Sequence, residues 1–163
     1  MADLNRITQL YREFPEKFRS VILSTVSADG IPQASYAPFL MDEDRAIYIY
    51  VSGLSAHTAN LKQTQRASVL FIEDEAQTQE IFARHRLTYG CTVTPLPRET
   101  LQWQTLIDRF EHRFGQVIGL MKGLPDFQLF QLQPQTGQFV VGFGAAYQVQ
   151  GNDLNTLEPR RQG

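Results

Sequence analysis

Apolar and polar residues alternate with different periods along this chain, and each change of period marks a new element. Leu4, Ile7, Leu10, Tyr11 and Phe14 recur at three- and four-residue spacing, which predicts an amphipathic helix over residues 3–14. Asp3 is placed to cap that helix and Pro15 to end it. From Ser20 the period falls to two. Residues 20–27 and 31–40 read as strands joined by Ala28-Asp29-Gly30, and Asp-Gly between apolar runs is a strong hairpin signal. Pro32 and Pro38 assign the returning strand to a sheet edge or a bulge, because proline has no N–H for the ladder. Residues 46–51 put Ile47, Ile49 and Val51 on one face and Tyr48 and Tyr50 on the other. Further strands are predicted at 66–72 and 87–94, the second with Gly90 marking a bulge or a close approach.

Between those two strands the segment from Glu73 to Arg86 is polar and reads as a loop with a little helix. After Pro97 a long helix is predicted, with Leu101, Trp103, Leu106, Ile107, Phe110 and Phe114 as its buried stripe and Gly115 as its stop. A short helical run follows over 117–123. Residues 126–132 then alternate as a strand, 133–137 read as a turn, and 138–143 as the partner strand. The segment from 148 to 163 is polar and expected to be a mobile tail. Six to seven short strands with peripheral helices predict a single α+β domain, an antiparallel closed or split β-barrel with its core over about 14–147.

Charge and cysteine content narrow the setting. A net charge of −2 over 163 residues, with only short basic runs at Arg84-His85-Arg86 and Arg160-Arg161, excludes a nucleic-acid footprint. Cys91 is the only cysteine, so neither an internal disulfide nor a cysteine zinc site can form. With no signal peptide and no apolar run long enough to span a bilayer, the expectation is a cytoplasmic protein without membrane insertion. His57, His85 and His112 have no metal-ligand spacing. Eleven phenylalanines make an aromatic-lined core or pocket available.

The stretch from Val51 to Leu61 carries the candidate chemistry. A strand turns through Gly53 into a helix starting at Ser55, which aims free backbone N–H groups at whatever lies above the turn. Two readings fit the residues: a helix capped by its own Ser55, or an anion site built from Ser52, Ser55, His57 and Thr58. Ser35 and Tyr36, between the two prolines, read as packing residues or as a ligand wall. No nucleophile–base pair or carboxylate dyad accompanies them.

The order of motifs resembles a known family. Ser52-Gly-Leu-Ser-Ala-His-Thr58, followed by Arg66-Ala-Ser-Val-Leu-Phe71, is similar to the FMN-binding split barrels of the pyridoxamine 5′-phosphate oxidase-like superfamily. His57-Thr58, Arg86-Leu-Thr-Tyr-Gly90, Asp126-Phe127 and Gly137-Gln-Phe-Val-Val-Gly-Phe-Gly144 more narrowly resemble its haem-utilisation branch, the HugZ/HutZ type. The resemblance implies a homodimer with two cofactor sites at the subunit interface. It implies a cofactor phosphate near Ser52–Thr58, with Arg66 adding positive charge. Where the oxidases present an Arg-Lys pair, this chain has Ala56-His57. In haem-degrading members a histidine of the C-terminal tail binds iron, supported by an acidic residue to which Asp126 corresponds. Residues 147–163 contain no histidine, so the iron ligand is unassigned.

Three functions follow from the resemblance. The first is haem binding at a dimer interface with oxidative haem degradation, Asp126 hydrogen-bonding behind the iron ligand. The second is an FMN-dependent oxidoreductase whose flavin is held by Ser52, Ser55, His57, Thr58 and Arg66. The third is a non-catalytic haem or flavin carrier.

Overall fold

The computed structural model describes residues 3–161. Six strands, β1 (Ser20–Val26), β2 (Pro32–Met41), β3 (Ile47–Ser52), β4 (Arg66–Ile72), β5 (Arg86–Leu96) and β6 (Phe127–Val140), run in the order β3-β2-β1-β4-β5-β6. Pairing of β3 with β6 closes them into an antiparallel barrel. Two more strands, β7 (Ala146–Gln150) and β8 (Thr156–Pro159), extend the sheet from the far end of β6. The expected split barrel with peripheral helices is therefore the observed α+β architecture. Ile47, Ile49 and Val51 point into the barrel core with Leu23, Val69 and Phe130, and Tyr48 and Tyr50 point outward under a helical layer. That layer is α3 (Leu101–Phe114) and α4 (Val117–Lys122), with Thr100 Oγ1 accepting the N–H of Trp103 at 3.1 Å as the α3 cap.

Two helices close the barrel ends. The first, α1 (Leu4–Glu13), is capped by Asp3 and inserts Tyr11, which is fully buried. Its hydroxyl donates to the Leu154 carbonyl at 2.7 Å and lies 2.5 Å from the Tyr89 hydroxyl. Arg45 Nε donates to Tyr89 at 2.7 Å, and its guanidinium lies 4.4 Å from the Tyr11 ring centroid. The second, α2 (Ala56–Thr64), packs Leu61 into the other end, and Asn60 Nδ2 reaches Thr25 Oγ1 at 3.1 Å.

Four sequence expectations are corrected. Residues 133–137 are no turn: β6 runs unbroken, because the irregularity at Gly90/Cys91 sets Thr136 opposite Gly90 and Pro134 opposite Cys91, accommodating the proline. The tail is ordered as β7 and β8, held by Leu154 and Leu157, both buried. Its last two residues, 162 and 163, lie outside the described residues. Leu101 is 84% exposed and stands outside the buried stripe, since it occupies the first position of α3. The first strand after Asp-Gly is an edge over only part of its length. Phe39 N–H donates to Arg19 and Ser27 N–H to Ile31, so the odd residues of β2 face β1 and Pro32, Ala34, Tyr36 and Pro38 face away. Pairing with β3 runs only from Phe39↔Ile49 to Met41↔Ile47. Pro38 has no N–H to extend it, so β2 and β3 part there.

Candidate functional site

The parting of β2 and β3 opens a cleft of about 490 Å³, within the range of small-molecule sites. Tyr36, Ala37 and Pro38 of β2 form one wall, and Tyr50, Val51 and Ser52 of β3 the other. Phe110 and Phe114 of α3, with Ile118 and Met121 of α4 and Phe127 of β6, supply an apolar floor. Tyr50 stacks on Phe127 with centroids 5.4 Å apart and planes at 29°. Arg98 fixes that floor: its Nη2 donates to the carbonyls of Leu124 at 2.8 Å and Phe127 at 3.1 Å, and to Tyr50 Oη at 3.3 Å. Its guanidinium also lies 5.2 Å from the Trp103 ring centroid.

The turn from β3 to α2 closes one end of the cleft. A Cβ on Gly53 would meet the Asp126 carbonyl oxygen at 2.8 Å, so only glycine lets the turn lie against the start of β6. Gly53 N–H donates to that carbonyl at 2.8 Å, and Ser52 Oγ donates to Asp126 Oδ2 at 3.0 Å. Thr58 Oγ1 donates to the Ser52 carbonyl at 2.5 Å. Ser55 is the N-cap residue of α2 by backbone geometry but makes no side-chain cap, so the self-capped reading fails and the first-turn donors of α2 lack that acceptor.

His57 sits on that first turn and lines the cleft. Its Nδ1 lies 2.9 Å from Ser35 Oγ. Ser35 Oγ also lies 3.3 Å from the Leu23 carbonyl, which ties the ring to β1 through β2. Nε2 is shielded from solvent and without a partner. Burial lowers the His57 pKa below the ordinary histidine value, so the ring is neutral at pH 7.

Of the residues expected to bind a cofactor, Ser52, Ser55 and His57 line this cleft. Thr58 is buried beneath the turn and positions Ser52. Arg66 lies elsewhere, in a separate groove with Ser24, Ser68, Cys91 and Thr136, because it opens β4 on another side of the barrel. Asp126 holds the turn through Ser52. Sequence reasoning missed Arg98, whose carbonyl partners lie 24 or more residues away, and Arg19, which lines the cleft beside Phe114. Neither has a motif signal. The three histidines stay on separate elements, and among the described residues no group of three His, Cys, Asp or Glu is placed to hold a metal ion. Burial pushes the Cys91 thiol up to about 12, which leaves it unreactive.

Comparison with known proteins agrees with this geometry. The family model described as pyridoxamine 5′-phosphate oxidase matches residues 7–141. A heme oxygenase, HutZ of Vibrio cholerae, is 38% identical over 149 residues, covering 91% of this chain and 84% of the relative. A crystal structure of the Vibrio cholerae HutZ, described there as a heme storage protein, superposes with a TM-score of 0.77 at 33% identity over 83% of this chain and 96% of the other. Campylobacter jejuni ChuZ superposes with a TM-score of 0.86 at 30% identity, over 98% of this chain and 64% of that one.

Proposed function

Because this chain belongs to the pyridoxamine 5′-phosphate oxidase family, in its HutZ-like haem-utilisation branch, we propose that the cleft between β2 and β3 binds haem. The observation that carries this reading is the cleft itself: a slot walled by Tyr50, Phe110, Phe114 and Phe127, ending at a neutral His57. Such a slot suits a flat apolar macrocycle, with aromatic side chains against its faces. Tyr50 and Phe127 would hold the ring, while Ser52, Ser55 and His57 border its edge. Haem, when bound, supplies an iron that activates oxygen, and the protein supplies orientation and exclusion of water. Oxidative degradation of the bound haem is the activity we assign, with Asp126 positioning the Ser52 turn.

FMN is the second reading, favoured by the family, and the site suits it less well. A flavin phosphate at the Ser52–Thr58 turn needs cations, yet His57 is neutral there and Arg66 lines another groove. The first turn of a helix contributes only about 0.3–1 kcal/mol toward an exposed anion.

The outer face of β2, β1, β4 and β5 supports assembly as a homodimer. Ala34, Ser24, Ser68 and Gly90 lie opposite one another across four strands, a flat row of small residues. Beside it Tyr36 is 68% exposed and Ile22 43% exposed, an apolar border that a second copy would cover. Among the described residues no helix is long and apolar enough to cross a membrane. The single free thiol fits a reducing, cytoplasmic compartment.

Absorption spectroscopy tests the reading. Haemin added to the protein should give a saturable Soret band, whereas FMN should give no bound-flavin spectrum. The reverse result would replace haem by FMN. With haem bound, oxygen and a reductant should bleach the Soret band; a stable band would make the protein a carrier. Sedimentation at micromolar concentration should give a dimer, and a monomer would remove the interface.

A further inference from the structure

The haem reading leaves open which way round the ligand lies, and the two ends of the cleft differ in charge. At the α2 end stand Asp126, hydrogen-bonded to Ser52 Oγ, and the uncharged ring of His57. Neither attracts a carboxylate, and a helix terminus alone attracts one weakly. Near Phe114 the situation is reversed. Arg19 lines the cleft with its guanidinium 5.5 Å from the Phe114 ring centroid, and Arg113 lies 5.4 Å from the same centroid. The described residues form three ion pairs, Arg84–Glu75, His85–Glu73 and Lys122–Glu111, and neither Arg19 nor Arg113 takes part in any. Arg113 donates to the Phe18 carbonyl at 2.6 Å, which fixes it behind Arg19. Desolvation, and after it the charge of Arg19, lower the Arg113 pKa, the signature of two cations sharing a site without a counter-ion.

We infer that Arg19, backed by Arg113, receives the carboxylate edge of the ligand, so that the carboxylates lie toward Phe114 and the opposite edge toward His57. This rests on the haem reading, since haem carries both carboxylates on one edge. A guanidinium is suited to the task because its fork matches carboxylate geometry and it is only weakly hydrated. The arriving anion would relieve the repulsion between the two arginines. Arg19 is thereby a positioning residue: it decides which edge of the ligand meets the α2 turn.

Titration with haemin and with its dimethyl ester, in which both carboxylates are masked, tests the assignment. Arg19→Gln should weaken haemin binding about tenfold or more and leave the ester unchanged. Arg19→Lys should recover part of the loss, and Arg113→Gln should show a smaller loss with the same dependence on the free carboxylates. Equal losses for haemin and ester, or no loss in Arg19→Gln, would overturn the assignment. The unaltered protein is titrated first: absence of a Soret band there sinks the haem reading itself, a result distinct from a Soret band whose affinity ignores Arg19. Thermal unfolding of each variant separates lost binding from lost folding.

Discussion

The two ends of the barrel are closed by similar means and to opposite effect. At the α1 end a chain of hydrogen bonds runs from Arg45 through Tyr89 and Tyr11 to the Leu154 carbonyl, joining four separate parts of the sequence. Arg45 is 6% exposed, and its ring contact with Tyr11 covers a guanidinium that has no carboxylate partner in the ion pairs of the described residues. At the α2 end Leu61 and Asn60 are packed in the same manner, but the first turn is left unfinished. Ser55 does not cap, and His57 Nε2 is buried unpaired. A buried polar group without a partner costs about 1–3 kcal/mol. Arg45 Nη2 is likewise buried without a hydrogen-bond partner, but its guanidinium is covered by the Tyr11 ring, whereas the deficit at His57 adjoins the cleft, where binding can return what folding has forgone.

Substitutions that remove this contrast are the sharpest tests of it. Tyr89→Ala should cost about 3–5 kcal/mol in urea unfolding, because it leaves a cavity and strands Arg45 Nε. Gly53→Ala should cost about 1–3 kcal/mol by forcing the turn off the Asp126 carbonyl, and it should weaken haemin binding as well. His57→Leu should change stability by less than about 1 kcal/mol, since it removes an unpaired nitrogen, while altering the spectrum of bound haemin. Were His57→Leu to destabilise as strongly as Tyr89→Ala, the two ends would be equivalent and the contrast false.

The smallest effect concerns pH. Burial lowers the folded-state pKa of His57 below its unfolded value of about 6.5. Between those values the unfolded chain binds a proton that the folded protein refuses. The stability tied to the neutral ring is therefore complete above about pH 6.5 and is lost as pH falls through the lower folded value. Unfolding midpoints of the unaltered protein should drop below those of His57→Leu, relative to pH 7.5, as pH is lowered through this window. Parallel curves would show that His57 is not held neutral.

Local pattern was enough to read most elements, and the reason is visible at particular residues. The hairpin at Asp29-Gly30 has Gly30 at φ +80° with its N–H on the Ser27 carbonyl, a conformation specified within four residues. The close approach at Gly90 was likewise legible as one of two readings of a glycine inside a strand pattern: a Cβ there would meet Thr136 Oγ1 at 2.7 Å. The continuity of β6 was not. Gln133-Pro-Gln-Thr-Gly137 has turn composition, and only pairing with β5 across the Gly90/Cys91 irregularity shows that it stays extended. The tail failed for a similar reason, since β7 and β8 are short and the turn between them is tied at Leu154 to Tyr11, 143 residues earlier.

For the site, the strand-to-helix turn at Ser52–Thr58 was legible in the sequence, and its hydrogen bonding was not. Composition cannot tell whether Ser55 will cap, or that Ser35, 22 positions earlier, hydrogen-bonds His57 Nδ1. Arg66 is close to the turn in sequence and opens β4, while Arg19 is far from it in sequence and lines the cleft. Barrel closure reverses those distances, which no local rule encodes.

The prolines that part β2 from β3 have a second effect, on solubility. Along the stretch of β2 that lacks a β3 partner, Pro32 and Pro38 occupy two of the four outward-facing backbone positions, leaving N–H groups there only at Ala34 and Tyr36. An incoming strand needs a regular row of donors and acceptors to add to a sheet. This edge offers it a broken one. The chain thus carries an open cleft without presenting a template for fibrous aggregation.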